Sequence, residues 1–222
     1  MSAVTFAATP PFLAWNMPDW TPSTANSSAP EASPDEENVR LMLLVKQGDV
    51  QAFEQLVELH QRAVIGTVAR MLNNVDDAHD VAQQVFVRVW RSAPRYEPSA
   101  KFTTWLFTIM RNLVFNEMRR RSRKREVSMD EQQEDSHREH ADSPRHHPDT
   151  TVAQSELEEA IDRAIQTLPE KQRLAVTLRR DLDMPYEEIC EILGMSLSAV
   201  KSLLFRARND LKERLKGYLD EE

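Results

Sequence analysis

Four glycines in 222 residues, Gly48, Gly66, Gly194 and Gly217, with no two closer than eighteen positions, set the first limit on this chain. A Gly-rich phosphate loop or a dinucleotide fingerprint needs at least two glycines within about six residues, so neither is present. Tight β-hairpins use Gly freely, and a chain this poor in it cannot supply them in number. That argues against an all-β fold, and with the helical spacing along the chain an all-α fold is expected. Length fits one or two domains. The single cysteine, Cys190, excludes an internal disulfide and a Cys-rich zinc site, and it fits a reducing compartment. No apolar run approaches the roughly 18 residues of a membrane span. No Lys or Arg precedes Arg40, so the start lacks the basic stretch of a signal peptide. These features predict a soluble, cytoplasmic protein with no membrane insertion.

Apolar residues recur at helical spacing along most of the chain. Leu41, Leu44 and Val45 begin the pattern and Gly48-Asp49 breaks it. Phe53, Leu56 and Val57 resume it through Val64, Val68 and Leu72 to Asn73-Asn74. A third helix follows, with Asp77 as its expected N-cap and Val81, Val85, Phe86, Val89 and Trp90 on one broad stripe. The loop Ala93–Lys101 holds Pro94 and Pro98, and a fourth helix runs from Phe102 to about Ser122. Four helices in residues 38–125 make one small helical domain. Ser155 with Glu158 forms a capping box expected to open the next helix. Three more helices, over about 170–181, 186–193 and 197–216, complete a second domain in residues 153–222.

Charge divides the chain in the same places. Residues 1–37 carry five acidic groups, no basic ones and six of the twelve prolines, so a disordered tail is expected there. Its Phe6, Phe12, Trp15 and Trp20 are either a short docking motif or incidental aromatics. Residues 38–125 carry fifteen basic against eight acidic groups, whereas residues 126–152 carry two against eight, with Pro144 and Pro148. The latter reads as a flexible acidic linker. Ser196–Lys216 is a second basic island, six basic groups against two acidic. Polyanion contact confined to the two islands is one reading of this pattern, and solvated helix faces are the other.

The sharpest local signal is PYEEICEILGMSLSAVKSLLFRAR, Pro185–Arg208. A short helix meets Gly194, where the chain can take a positive φ, and Ser196 can cap a second helix. That helix buries Val200, Leu204, Ala207 and Leu211 and presents Ser198, Lys201, Ser202 and Arg206, the layout of a helix-turn-helix aimed at a major groove. An ordinary helical hairpin is the alternative. The second signal, Lys101–Arg125, places Phe102, Trp105, Phe107 and Phe115 before six basic residues in seven, from Arg119 to Arg125. Aromatic faces and phosphate-tracking cations together suit single-stranded or melting DNA, although most of these rings also suit a core. Asp76, Asp77, His79 and Asp80 resemble metal ligands only superficially, and the linker histidines have no scaffold to fix ligand geometry. No Ser/His/Asp or Cys/His arrangement is present; no metal, cofactor or enzymatic activity is expected.

Taken in order, these segments resemble the sigma factors of bacterial RNA polymerase, in particular the extracytoplasmic-function (ECF) group of the sigma-70 family. DDAHDVAQQVFVRVW (Asp76–Trp90) is similar to the region-two segment that grips the clamp helices of the polymerase largest subunit. FTTWLFTIMRN (Phe102–Asn112) is similar to the segment that melts the promoter and reads the −10 element. LPEKQRLAVTLRRDLDMPYEEICEILGMSLSAVKSLLFRAR is similar to region four, which reads the −35 element and binds the flap of the second-largest subunit. The resemblance implies two helical domains, a four-helix region two and a helix-turn-helix region four. It further implies core polymerase, promoter DNA and a membrane-anchored anti-sigma factor as partners, with the acidic linker threading toward the active-site and RNA-exit channels.

By that resemblance, Asp80, Gln83, Gln84, Phe86 and Trp90 would contact the clamp, with Trp90 partly core. Phe102, Trp105, Arg111, Asn112, Asn116, Arg119 and Arg120 would serve the −10 element. Ser196, Ser198, Ala199, Lys201, Ser202, Arg206 and Arg208 would serve the −35 element. Leu203 and Phe205 stand where the family often has Arg and His. Counting about 100° per residue from Val200, Leu203 falls about 60° off the buried centre and Phe205 about 140° off it. Leu203 is therefore expected to be partly buried, and Leu203→Arg to add a phosphate contact that strengthens −35-dependent transcription. An exposed Phe205 would serve a thymine methyl, the polymerase flap, an inhibitory partner, or nothing. Two rival readings are a stand-alone helix-turn-helix regulator that binds DNA without polymerase, and a metal-dependent nucleic-acid enzyme built on Asp76–Asp80.

Overall fold

The computed structural model describes residues 33–131 and 152–219, with side chains over 33–124 and 156–218. The tail aromatics and most of the acidic linker lie outside the described residues. Helices α1 (Pro34–Lys46), α2 (Val50–Leu72), α3 (Val75–Ser92) and α4 (Phe102–Glu131) form the first unit, with a 3-10 turn at Ala93–Arg95. Helices α5 (Val152–Gln166), α6 (Glu170–Leu182), α7 (Tyr186–Leu193), α8 (Leu197–Arg214) and the short α9 (Lys216–Leu219) form the second. There is no strand among the described residues.

Several boundaries move for reasons of capping. Ser33 and Glu36 make a reciprocal capping box, so α1 starts at Pro34, inside the segment assigned to the tail. The N-cap of α3 is Asn74, whose side chain accepts from the Asp77 N–H at 3.0 Å. Asp77 is therefore a first-turn residue and not the cap. Backbone helix already runs through Ser155, so the expected capping box with Glu158 does not open α5. Helix α4 continues to Glu131, past the expected end at Ser122.

The first unit is packed around fully buried Leu41, Met42, Leu56, Val64, Val68, Val85, Leu106 and Met110. Asp35 Oδ1 accepts the backbone N–H of Phe102 at 3.1 Å, so the start of α1 caps the start of α4 from a distance in sequence. Beside that cap lies an aromatic cluster. Phe102 stands 5.2 Å from His60 and 5.9 Å from Trp105, while Tyr96 stands 5.0 Å from Trp105, centroid to centroid. His60 Nε2–H donates to the Asn38 side-chain oxygen at 2.9 Å, which fixes the tautomer of the neutral ring.

The second unit buries Leu174, Leu178, Ile189, Ile192, Val200, Leu204 and Leu211. It packs directly on the first. Helix α2 ends at Asn73 in the left-handed conformation (φ 52°), which leaves its last carbonyls without helical partners. Gln166 Nε2 donates to Arg70 O at 2.6 Å and Arg173 Nη1 to Met71 O at 2.9 Å. Asp181 and Asp162 pair with Arg70, and Lys101 pairs with Glu188 at 2.6 Å.

Burial holds the His60 pKa below the usual histidine value of 6.5, because charging the ring costs more inside than in water. A depressed folded pKa means stability that is present above about pH 6.5 and lost as pH falls through the folded value. The melting temperature should therefore drop between pH 7 and pH 5.5. His60→Gln should flatten that drop; an equally steep profile in the variant would show that another group causes it.

Candidate nucleic-acid and partner interfaces

Helices α2 and α3 leave an open apolar groove of about 660 Å³ between them, walled by Val50, Phe53, Val57, Ile65, Phe86 and Trp90. Phe53 and Trp90 meet edge to face with centroids 5.1 Å apart, which fixes one end of the groove. Gln61, His79 and Gln83 supply a polar rim. Asp80, Gln83 and Gln84 are exposed, Phe86 is half-buried and Trp90 is 36 % exposed. The expected contact set on α3 thus lies on one accessible face. Sequence reasoning missed the opposite wall, because Phe53 and Val57 repeat at the spacing of a buried stripe and α3 was needed to show that the stripe is only partly covered. Val50 stays exposed at the groove's edge. An uncovered apolar patch with a polar rim suits a protein partner.

On α4, Asn112 and Asn116 are both exposed, one turn apart on the same face. Arg119 donates to the Asn116 side-chain oxygen at 2.7 Å, so Asn116 is already oriented by its neighbour. Glu117 accepts from Arg120 at 2.7 Å and from Arg121 at 2.9 Å, and Arg121 also pairs with Asp77 at 2.7 Å. These guanidinium hydrogen bonds, from Arg120 above all, hold the Glu117 carboxyl down at about 2. The basic run therefore has its charge partly neutralised within α4 and α3. Arg111 is half-buried.

The aromatic expectation on this helix needs correcting. Phe102 is 1 % exposed and sits inside the Tyr96–Trp105–His60 cluster, so its face cannot stack on a base. The reason is the Asp35 cap, which draws the start of α4 into the core. Trp105, half-buried at the edge of that cluster, keeps part of its surface in solvent.

In the second unit Gly194 takes φ 63° and turns the chain between α7 and α8. Ser196 then caps α8 by accepting the Ala199 N–H at 3.3 Å. Ser196, Ser198, Lys201, Ser202 and Arg206 are exposed; Ala199 and Arg208 are half-buried. Ser198, Lys201, Ser202 and Arg206 therefore lie on exposed positions of α8, Ala199 and Arg208 are partly covered, and Ser196 stands at its N-cap. Leu203 is different. It is 4 % exposed and belongs to the core with Val200, Leu204 and Ala207. An Arg there would have to put its guanidinium into apolar surroundings, and the expected gain of a phosphate contact is withdrawn. Phe205, by contrast, is 61 % exposed.

Among the described residues no three His, Cys, Asp or Glu side chains come together as metal ligands. Asp77 is engaged by Arg121, and Asp76 and Asp77 fill the first turn of α3, where carboxylates favour the helix dipole. Burial pushes the Cys190 thiol above its usual range, the opposite of an activated nucleophile.

Leu203→Arg should lower the unfolding free energy by about 3–5 kcal/mol, the scale for an unpaired charge forced into a core. Urea denaturation followed by circular dichroism measures this. Unchanged stability together with stronger −35-dependent transcription would restore the expected phosphate contact.

Comparison with known proteins adds the family context. Residues 56–124 match the family model of sigma-70 region 2, and residues 158–211 match that of sigma-70 region 4. The chain is 31 % identical to the RNA polymerase sigma-H factor of Pseudomonas aeruginosa, over 84 % of this chain and 97 % of that protein. It is 33 % identical to the ECF RNA polymerase sigma-E factor of Haemophilus influenzae, over 77 % and 91 %. Among solved structures, the sigma factor RpoE of Bartonella quintana, in complex with the anti-sigma factor NepR, aligns with a TM-score of 0.61 and 28 % identity. That alignment covers 75 % of this chain and 98 % of the other. CnrH, in complex with the cytosolic domain of CnrY, shares the fold at a TM-score of 0.60 and 23 % identity, over 82 % and 98 %.

Proposed function

The chain belongs to the sigma-70 family, in the ECF group, and from that premise we propose that it docks on core RNA polymerase, reads −10 and −35 promoter elements and helps open the DNA. The observation that carries this reading is the pairing of an apolar docking groove with two separate, outward-facing polar and basic helix faces in one chain. A stand-alone helix-turn-helix regulator has no use for the first unit's groove.

In this reading the α2/α3 groove and the exposed Asp80, Gln83 and Gln84 receive the clamp helices of the polymerase largest subunit. Phe86 and Trp90 supply the apolar part of that contact, and Phe53 and Val57 the wall opposite. The second unit binds the flap of the second-largest subunit while α8 enters the major groove of the −35 element. Ser198, Ser202 and Lys201 face base edges, with Arg206 and Arg208 on phosphates.

Melting is the work of binding. Asn112 offers an amide to base edges on the −10 side, and Arg119 tracks the backbone. Residues 93–101 form the walls around a flipped base. Capturing that base offsets the unpairing cost, a few kcal/mol in order of magnitude. No side chain is asked to make or break a covalent bond, so the role is that of an initiation factor and not an enzyme. The structural relative bound to an anti-sigma factor supports a protein of that class as a further, inhibitory partner. The site of action is the cytoplasm, where polymerase and promoters meet.

The direct test is transcription by purified core polymerase on fragmented genomic DNA, with and without this chain, followed by sequencing of RNA 5′ ends. New start sites sharing upstream elements are expected; tight sequence-specific duplex binding by the chain alone, with no new starts, would favour the stand-alone regulator. The double variant Gln83→Ala, Phe86→Ala should lose core affinity by at least about tenfold while keeping its helicity, since a central buried anchor is removed. Retained core affinity in the folded variant would rule out the clamp assignment. On the −10 side, Asn112→Ala should relax base discrimination, whereas Arg119→Ala should weaken all promoters nearly alike. The same sequence-independent loss in both variants would disprove base reading by Asn112.

A further inference from the structure

The two units meet through the first helix of the helix-turn-helix. Helix α7 packs on α4, and α8 packs in turn on α7. Glu188, in the first turn of α7, reaches the start of α4 with both carboxylate oxygens. Lys101 Nζ donates to Oε1 at 2.6 Å and Thr104 Oγ1 to Oε2 at 3.3 Å. The Glu188 side chain is 13 % exposed and Thr104 is buried, so this carboxylate is held largely out of water. Lys101 closes the loop of residues 93–101, which the promoter-directed reading places around an unpaired base. A carboxylate set between an ammonium and a hydroxyl takes the same donors that a DNA phosphate would take.

Distance makes this packing incompatible with a whole promoter. Elements centred near −10 and −35 are about 25 base pairs apart, about 85 Å of straight duplex at about 3.4 Å per base pair. A path runs from Asn112 down α4 to Thr104, across the Glu188 contact, along α7 and through the turn at Gly194 to Ser202. Its length sets an upper limit of about 55 Å on the Asn112–Ser202 separation. The two exposed faces therefore cannot lie on both elements while α7 stays on α4. The α2/α3 groove is not closed by this packing, and Asp80, Gln83 and Gln84 beside it stay exposed. A partner that seats in the groove can thus bind the packed chain first and separate the units afterwards.

We infer that the packed arrangement is a self-inhibited state of this chain, latched by Glu188. Its carboxylate occupies Lys101 and Thr104 on the −10 side and holds the second unit too close for the −35 element to be read at the same time. This rests on the promoter-directed reading above and adds to it a conformational step: closed with the groove accessible before polymerase docks, open afterwards. The Arg70–Asp181 pair and the Arg173 hydrogen bond to Met71 O join the same two units at the end of α2. Glu188 is the member of this seam that also engages the start of α4.

Energy transfer within the full chain tests this, with dyes on Gln55→Cys and Lys212→Cys, both at exposed positions, in a Cys190→Ala background. The free chain should show high transfer, and core polymerase should lower it. Glu188→Gln should reduce the closed-to-open ratio of the free chain roughly tenfold, the scale of a lost hydrogen bond to a charged group. Glu188→Lys should open the chain, and adding Lys101→Glu should restore closure, a rescue that mere damage to α7 would not give. Without polymerase, Glu188→Gln should bind a premelted duplex carrying both elements severalfold more tightly than wild type, up to the factor by which the chain opens. Should Glu188→Gln lose helicity, Lys101→Met breaks the same pair from the first unit and must open the chain as far. The inference is overturned if the free wild type shows the low transfer of the polymerase-bound chain, or if Glu188→Gln stays as closed as wild type. It is also overturned if the charge swap restores nothing, or if an opened and folded Glu188→Gln gains no DNA affinity. The energy-transfer measurements need no promoter. Closure as expected with no new transcription starts would therefore defeat the promoter reading, and the inhibitory role with it, while the Glu188 latch itself stood.

Discussion

The C-terminal end of α2 is the point on which the arrangement turns. An α-helix cannot satisfy its own last carbonyls. Ala69 O is taken by the Asn73 N–H at 2.8 Å as the chain bends into the left-handed conformation. The next three carbonyls are met from elsewhere: Arg70 O by Gln166, Met71 O by Arg173 and Leu72 O by Arg121. Arg173 also donates to the carbonyls of Gln166 and Leu168, at the end of α5 and just beyond it. One guanidinium therefore ties the ends of two helices from different units. Partial burial lowers its pKa from the usual arginine value, because the charged form is less well solvated there than in water. The carbonyl oxygens of Met71, Gln166 and Leu168 around it make it a polar joint whose loss would leave several acceptors unmet.

That joint leaves the working faces outside it. The groove between α2 and α3, the Asn112–Asn116 face of α4 and the Ser198–Phe205 stripe of α8 all keep exposed residues while the two units pack together. Ion pairs join the units, Arg70 with Asp181 and Lys101 with Glu188. Such pairs contribute little net stability where water reaches them and weaken with salt. Packing within each unit is apolar and does not weaken in that way.

Electrostatics is also distributed more finely than the charge count implies. Six basic residues in seven read as a polyanion site, yet Glu117 and Asp77 engage Arg120 and Arg121. In the second basic island the stretch Ser198–Phe205 of α8 contains no acid, and Lys216 near its end pairs with Glu213 at 3.0 Å.

Much of this was legible in the residues themselves. Glycine scarcity and helical spacing specified an all-α chain, and Gly194 with Ser196 marked the turn and cap of the helix-turn-helix, because those are local properties of backbone conformation and hydrogen bonding. The tertiary structure decided what depends on distant partners. Phe102 and Trp105 are neighbours in one apparent aromatic face, but Asp35 and Tyr96 draw the first into the core and leave the second at its edge. Leu203 lay at the margin of a buried arc computed from α8 alone, and the packing of the second unit closes over it. The groove beside Phe53 exists only because α3 covers part of an α2 stripe that looks uniformly internal in sequence. Periodicity states which side of a helix is apolar; only the neighbouring elements determine how much of that side they cover.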